Sequence, residues 1–136
     1  MLNSGSMSDS GKIRENLLKQ ARIARESAYC KYSGFAVGAA LLTESGEIYT
    51  GCNIENASYS LCICAERIAF GKAVSEGHRK FRAIAIVGGA EDSGTDCPPC
   101  GACRQFMAEF CHADFEIYLA EKKYLLRELL PNAFIL

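Results

Sequence analysis

Two clusters of cysteines contain the residues of this chain whose types and spacing are best suited to chemistry. The first cluster is Cys62-Ile63-Cys64-Ala65-Glu66-Arg67, and the second is Cys97-Pro98-Pro99-Cys100-Gly101-Ala102-Cys103-Arg104. Each lies at the predicted start of a helix, where the positive end of the helix dipole favours thiolates over thiols. Cys100 and Cys103 are three residues apart, so they share one helical face. The sequence therefore predicts that thiolates from two helix ends meet.

Three thiolates would leave one coordination position of a tetrahedral metal ion open. A structural zinc site is closed by four protein ligands, whereas a catalytic site keeps the fourth position for water or substrate. Zinc can lower the pKa of that water to about 7. Glu66 lies beside the cluster and is not needed as a ligand, which suits it to moving protons. Arg67 and the two helix dipoles would offset the net negative charge of zinc with three thiolates.

Other interpretations compete for the same cysteines. Cys97 and Cys100 have the C-x-x-C spacing of redox proteins and could form a reversible disulfide. Cys97, Cys100 and Cys103 also match part of an iron–sulfur pattern, although the fourth cysteine at the expected short spacing is absent. The thiols could instead be small hydrophobic core residues. That core interpretation is the favoured one for Cys30, Cys52, Cys62 and Cys111.

The composition is that of a single globular domain. The 136 residues are 49% hydrophobic and 23% charged, with a net charge of −1. Such a balance offers no electrostatic footprint for nucleic acid or an anionic membrane, so neither is an expected partner. The longest uncharged stretch, Tyr32–Thr43, is too short to span a bilayer. Eight cysteines are about 6% of the chain, below the roughly 8–10% that marks a disulfide scaffold.

The N-terminal residues Met1–Ser6 are interpreted as an expression scar ahead of a second methionine, Met7. Residues 7–136 are then predicted to form one domain. No charged-then-apolar leader is recognised in the sequence, so we expect a reducing, cytoplasmic setting.

Hydrophobic periodicity predicts a mixed sheet covered by helices. The predicted elements, in chain order, are a helix at Lys12–Ala28, a hairpin of strands at Phe35–Thr43 and Ile48–Ile54, a helix at Leu61–Glu76, a strand at Phe81–Val87, a loop at Gly88–Asp96, a helix at Gly101–Cys111, a strand at Phe115–Leu119 and a helix at Tyr124–Leu130.

With these residues in place, the chain resembles the small homotetrameric cytidine deaminases from Ala28 to Phe134. The matching segments are Tyr32-Ser33-Gly34-Phe35, Val37-Gly38-Ala39-Ala40, Gly51-Cys52-Asn53-Ile54-Glu55-Asn56-Ala57, Cys64-Ala65-Glu66-Arg67 and Pro99-Cys100-Gly101-Ala102-Cys103-Arg104-Gln105. The cysteine ligands and the non-ligand glutamate follow a known template for zinc deaminases. The loop Gly88–Pro98 departs from the family by its length and by containing Cys97.

The resemblance implies a fold, a reaction and a set of site residues. The fold is a three-layer α/β/α sandwich with a five-stranded mixed β-sheet, assembled as a D2 homotetramer with shared sites. One Zn²⁺ per chain would be bound by Cys64, Cys100 and Cys103. Glu66 would move protons while cytidine or 2′-deoxycytidine is converted to the uracil nucleoside in pyrimidine salvage. The implied substrate contacts are Phe35 on the base, Asn53 and Glu55 on the ribose 3′-hydroxyl, the Ala65 backbone on the base edge and Phe134 closing a neighbour's pocket, with Arg67 behind the thiolates.

Two further points stay open at the level of sequence. Phe35 fits a core position on periodicity alone, and Glu55 fits a surface carboxylate at a strand end. The substrate could also be a related cytosine nucleoside, such as an aminoacyl-nucleoside antibiotic. Resistance deaminases of that kind share the cysteine motifs but lack the Asn53-x-Glu55 pair.

Overall fold

The computed structural model describes residues 8–89 and 96–136. The predicted scar at Met1–Ser6, and residues 90–95 of the predicted loop, lie outside the described residues. The elements are α1 (Asp9–Arg25), β1 (Ala36–Thr43), β2 (Ile48–Cys52), α2 (Ala65–Ser75), β3 (Phe81–Gly89), α3 (Gly101–Phe110), β4 (Glu116–Tyr118), β5 (Lys123–Leu125) and α4 (Leu126–Leu129). No helix in these two ranges has both the length and the apolar character needed to cross a bilayer.

The five strands form one mixed sheet in the order β2-β1-β3-β4-β5. β1 pairs antiparallel with both β2 and β3, β3 pairs parallel with β4, and β4 pairs antiparallel with β5. The parallel pair needs a crossover connection, and α3 lies in the chain between its two strands. This sheet confirms the predicted α/β architecture and the expected number of strands.

Alternation along the strands divides the core into two layers. In β1, Val37, Ala39 and Leu41 pack with residues of α2, α3 and α4 on one face of the sheet. Ala40 and Leu42 face the other way and pack against α1. Because successive side chains of a strand point to opposite faces, an unbroken apolar run is what a strand covered on both sides requires. The result is the expected three-layer arrangement.

Two glycines let helices approach the sheet closely. A Cβ atom on Gly38 would lie 2.0 Å from the carbonyl oxygen of Ala21 in α1. On the edge strand β2, a Cβ atom on Gly51 would lie 2.5 Å from the carbonyl oxygen of Ala65 in α2. Both contacts are with helix backbone, so a side chain at either position would push the helix away. Gly51 thereby fixes how deeply the N-terminus of α2 sits on the sheet.

The structure differs most from the predicted elements at three places. Helix α1 begins earlier, because Ser8 caps it by accepting a hydrogen bond from the Gly11 N–H at 3.1 Å. The predicted helix from Leu61 was wrong at its start: Tyr59–Leu61 forms a short 3-10 turn and α2 begins at Ala65. The predicted helix at Tyr124–Leu130 was also wrong in its first part, since Lys123–Leu125 pairs with β4 as the fifth strand.

Candidate metal centre and active site

Cys64 occupies the N-cap position of α2, in extended backbone conformation. Its position is set from the preceding residue, because Ile63 and Ile54 exchange backbone hydrogen bonds of 2.9 and 3.0 Å. That bridge ties the chain just before α2 to the segment that follows β2. As a consequence, Cys64 lies close to the residues Asn53 and Glu55 on either side of Ile54.

Cys100 occupies the equivalent N-cap position of α3, also in extended conformation. Pro98 and the buried Pro99 precede it, and prolines favour extended backbone in the residues before them. Arg104 holds this entry in place, since its Nε donates to the Pro99 carbonyl oxygen at 2.7 Å. Cys103 lies in the first turn of α3 and is fully buried. Both helix N-termini therefore point to the same place, as the sequence predicted.

The three thiols of Cys64, Cys100 and Cys103 form one cluster. Their Sγ atoms all lie within 4.8 Å of one another, and Cys64 Sγ and Cys100 Sγ are 3.9 Å apart. A tetrahedral zinc ion with Zn–S bonds of about 2.3 Å separates its sulfur ligands by roughly 3.8 Å. Among the described residues, this is the group of metal-type donors close enough to share an ion. The donor set thus fits zinc with a fourth position open.

Hydrogen bonds link the thiols of this cluster to one another and to Arg67. The Cys103 thiol hydrogen-bonds to Cys64, and Arg67 donates from Nη2 to Cys64 Sγ at 3.6 Å. Together they lower the pKa of Cys64 to about 5 despite its partial burial. Donation of its proton to Cys64 and its own burial raise the pKa of Cys103. The lowered pKa favours the thiolate form of Cys64, and the Arg67 guanidinium provides the positive charge that balances it.

Glu66 lies beside the thiols and is almost entirely buried, with 5% of its surface exposed. Burial raises the pKa of its carboxyl group to about 7, and the negative charge of Cys64 acts in the same direction. A carboxyl group that titrates near neutral pH can both accept and donate a proton. Its position in the first turn of α2 directs it to the same side as Cys64.

A cavity of about 370 Å³ opens in front of this cluster. Its lining contains seven of the residues predicted from the sequence: Phe35, Asn53, Glu55, Cys64, Ala65, Glu66 and Cys100. Phe35 is 46% exposed, so the alternative that it belongs to the core is wrong. The metal-type donors therefore stand at one end of a cavity whose remaining wall carries an aromatic ring, an amide and a carboxylate.

Asn53 and Glu55 hold the backbone that leads into β1. The Asn53 side chain donates to the Phe35 carbonyl oxygen at 2.8 Å and accepts from the Val37 N–H at 2.9 Å. Glu55 Oε1 accepts from the N–H groups of Tyr32 and Ser33 at 3.0 and 3.1 Å. The hydroxyl of Ser33 donates to Glu55 Oε2. These bonds hold the two segments together beyond the end of β2. The hydrogen bonds from the Ser33 hydroxyl and from the N–H groups of Ser33 and Tyr32 also lower the pKa of Glu55.

Three predicted residues do not line this cavity. Cys103 is buried behind the other two thiols, and Arg67 borders a separate cavity with residues of α3. Phe134 is 71% exposed, and its backbone N–H and carbonyl oxygen each bond to the Gln105 side chain at 3.0 Å. Within one chain Phe134 thus lies outside the cavity.

Sequence reasoning gave no role to Ser33, Val37 and Pro98, which also line the cavity. For Ser33, the quoted motif around Phe35 was the only available signal.

Cys97 lies on the cavity wall, where its Sγ would be 2.7 Å from a Cβ atom on Gly88. Burial raises the pKa of its thiol to about 11. A thiol that remains protonated at neutral pH is a poor nucleophile for disulfide exchange. The local environment therefore disfavours the C-x-x-C redox interpretation of Cys97 and Cys100.

Comparison with known proteins gives a consistent result. Residues 12–119 match the family model described as the cytidine and deoxycytidylate deaminase zinc-binding region. The cytidine deaminase of Sporosarcina psychrophila is 52% identical over 125 residues, which cover 88% of this chain and 90% of that protein. The crystal structure of cytidine deaminase from Burkholderia pseudomallei is 45% identical, with a TM-score of 0.82 over 88% of this chain and 98% of that one.

The chain also matches a more distant relative. The blasticidin-S deaminase of Bacillus cereus is 34% identical over 103 residues, which cover 70% of this chain and 74% of that protein.

The family model spans both cysteine clusters as well as the segment that holds Asn53 and Glu55. Together with the thiol cluster, the buried glutamate and the five-stranded sheet, these matches establish that the chain belongs to the cytidine deaminase family.

Proposed function

We propose that this protein is a zinc-dependent cytidine deaminase that converts cytidine and 2′-deoxycytidine to uridine and 2′-deoxyuridine with release of ammonia. Its place would be pyrimidine salvage in the cytoplasm, with residues 7–136 as one catalytic domain. The observation that carries the proposal is the convergence of three thiols and the buried Glu66 at one end of a nucleoside-sized cavity. Zinc requirement, salvage and deoxycytidine turnover go beyond family membership and are the parts to be tested.

Cys64, Cys100 and Cys103 are the proposed ligands of one Zn²⁺ per chain. The support is the 3.9 Å sulfur separation and the low pKa of Cys64, which both suit thiolate coordination. When bound, zinc would supply a Lewis acid that makes water a nucleophile at neutral pH. Arg67 is proposed to hold Cys64 by its 3.6 Å hydrogen bond and to balance the charge of three thiolates.

Glu66 is the proposed general acid and base. Hydrolytic deamination adds water at C4 of the cytosine ring and expels the amino group as ammonia. Four proton transfers are needed: two are taken from the oxygen of the added water, first as it attacks C4 and then as the C4 hydroxyl becomes a carbonyl, and these protons are given to ring N3 and to the departing nitrogen. A single buried carboxyl that lines the cavity beside the thiols can carry each in turn. The atoms balance, because water and the nucleoside give the uracil nucleoside and ammonia.

The cavity lining favours a nucleoside over a nucleotide. No lysine or arginine is among the lining residues that the structure describes, whereas Glu55 and Glu66 are both acidic. A phosphate group would therefore meet negative charge without a cationic partner, which is unfavourable. Phe35 is proposed to stack on the base, the Ala65 backbone to contact its edge, and Asn53 and Glu55 to bind the ribose 3′-hydroxyl with their remaining hydrogen-bonding capacity.

The proposed assembly is a homotetramer in which Phe134 closes the cavity of a neighbouring chain. Its support within one chain is the exposed apolar end Phe134-Ile135-Leu136, which Gln105 fixes against α3 through two hydrogen bonds. An aminoacyl-cytosine nucleoside is a second candidate substrate, favoured by the similarity to blasticidin-S deaminase. The Asn53 and Glu55 pair on the cavity wall favours the unmodified nucleoside.

The test combines metal analysis with an ultraviolet assay of cytidine loss. We expect about one zinc per chain, turnover that is lost on chelation and turnover that returns with Zn²⁺. Glu66→Gln should keep the metal and lose at least about 100-fold in kcat, because it removes the proton carrier and no ligand. Glu109→Gln, an exposed glutamate on α3, is the matched control and should retain wild-type turnover. Zinc-independent conversion, or full activity of Glu66→Gln, would refute the proposal.

A further inference from the structure

Ser33 stands on the cavity wall between two residues proposed to hold the substrate. Its hydroxyl donates to Oε2 of Glu55 and accepts a hydrogen bond from the Phe35 N–H at 3.0 Å. A serine hydroxyl offers one donor and acceptor lone pairs, so both bonds can form at once. One side chain therefore joins the carboxylate proposed to bind the sugar to the backbone of the ring proposed to stack on the base.

Phe35 depends on these bonds for its placement. Its ring is 46% exposed, so packing against the core supplies only part of its positioning. The peptide groups on both sides of Phe35 are instead fixed by side chains: Ser33 accepts from its N–H, and Asn53 donates to its carbonyl oxygen at 2.8 Å. Because the direction of a side chain follows its backbone, loss of either bond loosens the ring.

We propose that Ser33 is a positioning residue that couples Glu55 to Phe35 and thereby sets the affinity for the nucleoside. This inference rests on the proposed function, since it concerns the same cavity. Hydrogen bonds in a chain polarise one another, so the Glu55 carboxylate strengthens the hold of the Ser33 hydroxyl on the Phe35 N–H. The reacting groups on α2 and α3 lie on other elements, so Ser33 acts on binding rather than on the chemical step.

Ser33→Ala should raise KM for cytidine about 10-fold, because it removes a charge-assisted hydrogen bond and leaves the Phe35 N–H without its acceptor. The kcat of that variant should stay within about twofold of wild type. Ser33→Thr keeps the hydroxyl and should restore KM to within about threefold. Calorimetric binding of uridine, which does not react, should weaken by the same factor of about 10 in Ser33→Ala.

Ser45 provides a matched control, because it forms the same type of bond elsewhere. Its hydroxyl donates to Glu47 Oε1 at 2.5 Å in the turn between β1 and β2, and it does not line the cavity. Ser45→Ala should leave both KM and uridine binding unchanged. Thermal unfolding of all three variants shows whether a change in binding reflects a change in folding.

The outcomes separate this inference from the proposed function. Cytidine turnover by the wild-type protein with unchanged KM in Ser33→Ala would overturn the role of Ser33 alone. A fall in kcat without a rise in KM, or a Ser33→Thr variant that folds normally but is not rescued, would overturn it as well. Absence of cytidine turnover and uridine binding in the wild type would overturn the proposed function together with this inference. A KM effect that threonine rescues supports the coupling.

Discussion

The close approach of α2 to Gly51 makes a sharp prediction about the metal centre. A Cβ atom at position 51 would lie 2.5 Å from the Ala65 carbonyl oxygen and 2.7 Å from the Ala69 N, whereas ordinary contact begins at 3.4 Å. These atoms are helix backbone and cannot rotate away. In Gly51→Ala, the N-terminus of α2 must therefore move away from the sheet by roughly 0.9 Å.

This displacement carries Cys64 and Glu66 with it but leaves Cys100 and Cys103 on α3. Metal–ligand distances tolerate changes of only about 0.2 Å, so the three sulfurs can no longer bind one ion with ideal geometry. We expect at least about a 10-fold loss of zinc affinity and about a 100-fold loss of kcat. Overpacking should also cost about 1–3 kcal/mol in the free energy of unfolding.

Zinc affinity can be measured by competition with a chromogenic chelator, turnover by the ultraviolet assay and stability by urea denaturation. Gly71→Ala is the matched control, because Gly71 lies in the same helix and a Cβ atom there has nothing within 4 Å. That variant should be about 0.5–1 kcal/mol more stable than wild type and fully active. Wild-type zinc affinity and turnover in folded Gly51→Ala would refute the reasoning.

Three other predictions test separate parts of the structure. In metal-free protein, thermal unfolding should show Glu66→Gln to be more stable than wild type at pH 8 and about equally stable near pH 4. The pKa of Glu66 is about 7 in the folded state and 4.5 ordinarily, so ionisation of this carboxyl weakens folding as the pH rises through that interval. Equal stabilities at pH 8 would contradict this prediction. Cys97→Ser should keep cytidine turnover within about threefold of wild type, since the buried Cys97 thiol has a pKa of about 11 and is not a reactive thiolate. A larger loss of turnover would contradict this prediction. Ser8→Ala should lower the free energy of unfolding by about 1 kcal/mol with kcat and KM unchanged, because it removes the N-cap bond to Gly11.

Local patterns in the sequence predicted most of the fold. The apolar run Phe35–Thr43 predicted β1, and the two cysteine clusters predicted the helix ends that meet at the site. The start of α2 was predicted four residues too early, because Ile63 pairs with Ile54 in an isolated β-bridge instead of entering the helix. The first part of the last predicted helix was wrong for the same reason, since Lys123–Leu125 gains strand structure from its pairing with β4. Long-range backbone pairing leaves little trace in local periodicity.

The candidate site divides in a similar way. Residue types and spacing pointed to the thiols and Glu66, because metal ligation and proton transfer need particular side chains. The resemblance was needed for Phe35, Asn53 and Glu55, whose proximity depends on the chain returning past β2. Ser33 had no assigned role, because its importance comes from hydrogen bonds in an irregular turn that no hydrophobic pattern describes. Such bonds are visible only in three dimensions.

The hydrogen bonds from the side chains of Asn53 and Glu55 to the backbone around Phe35 have a consequence for the kinetics of ligand binding. Fixing the backbone of one residue costs about 1–2 kcal/mol of conformational entropy at 25 °C. For the segment around Phe35, folding supplies that ordering before any ligand arrives, since the bonds are formed within the chain itself. Association should then proceed in one step without a slow loop-ordering phase, and the lifetime of the complex should distinguish good nucleoside ligands from poor ones.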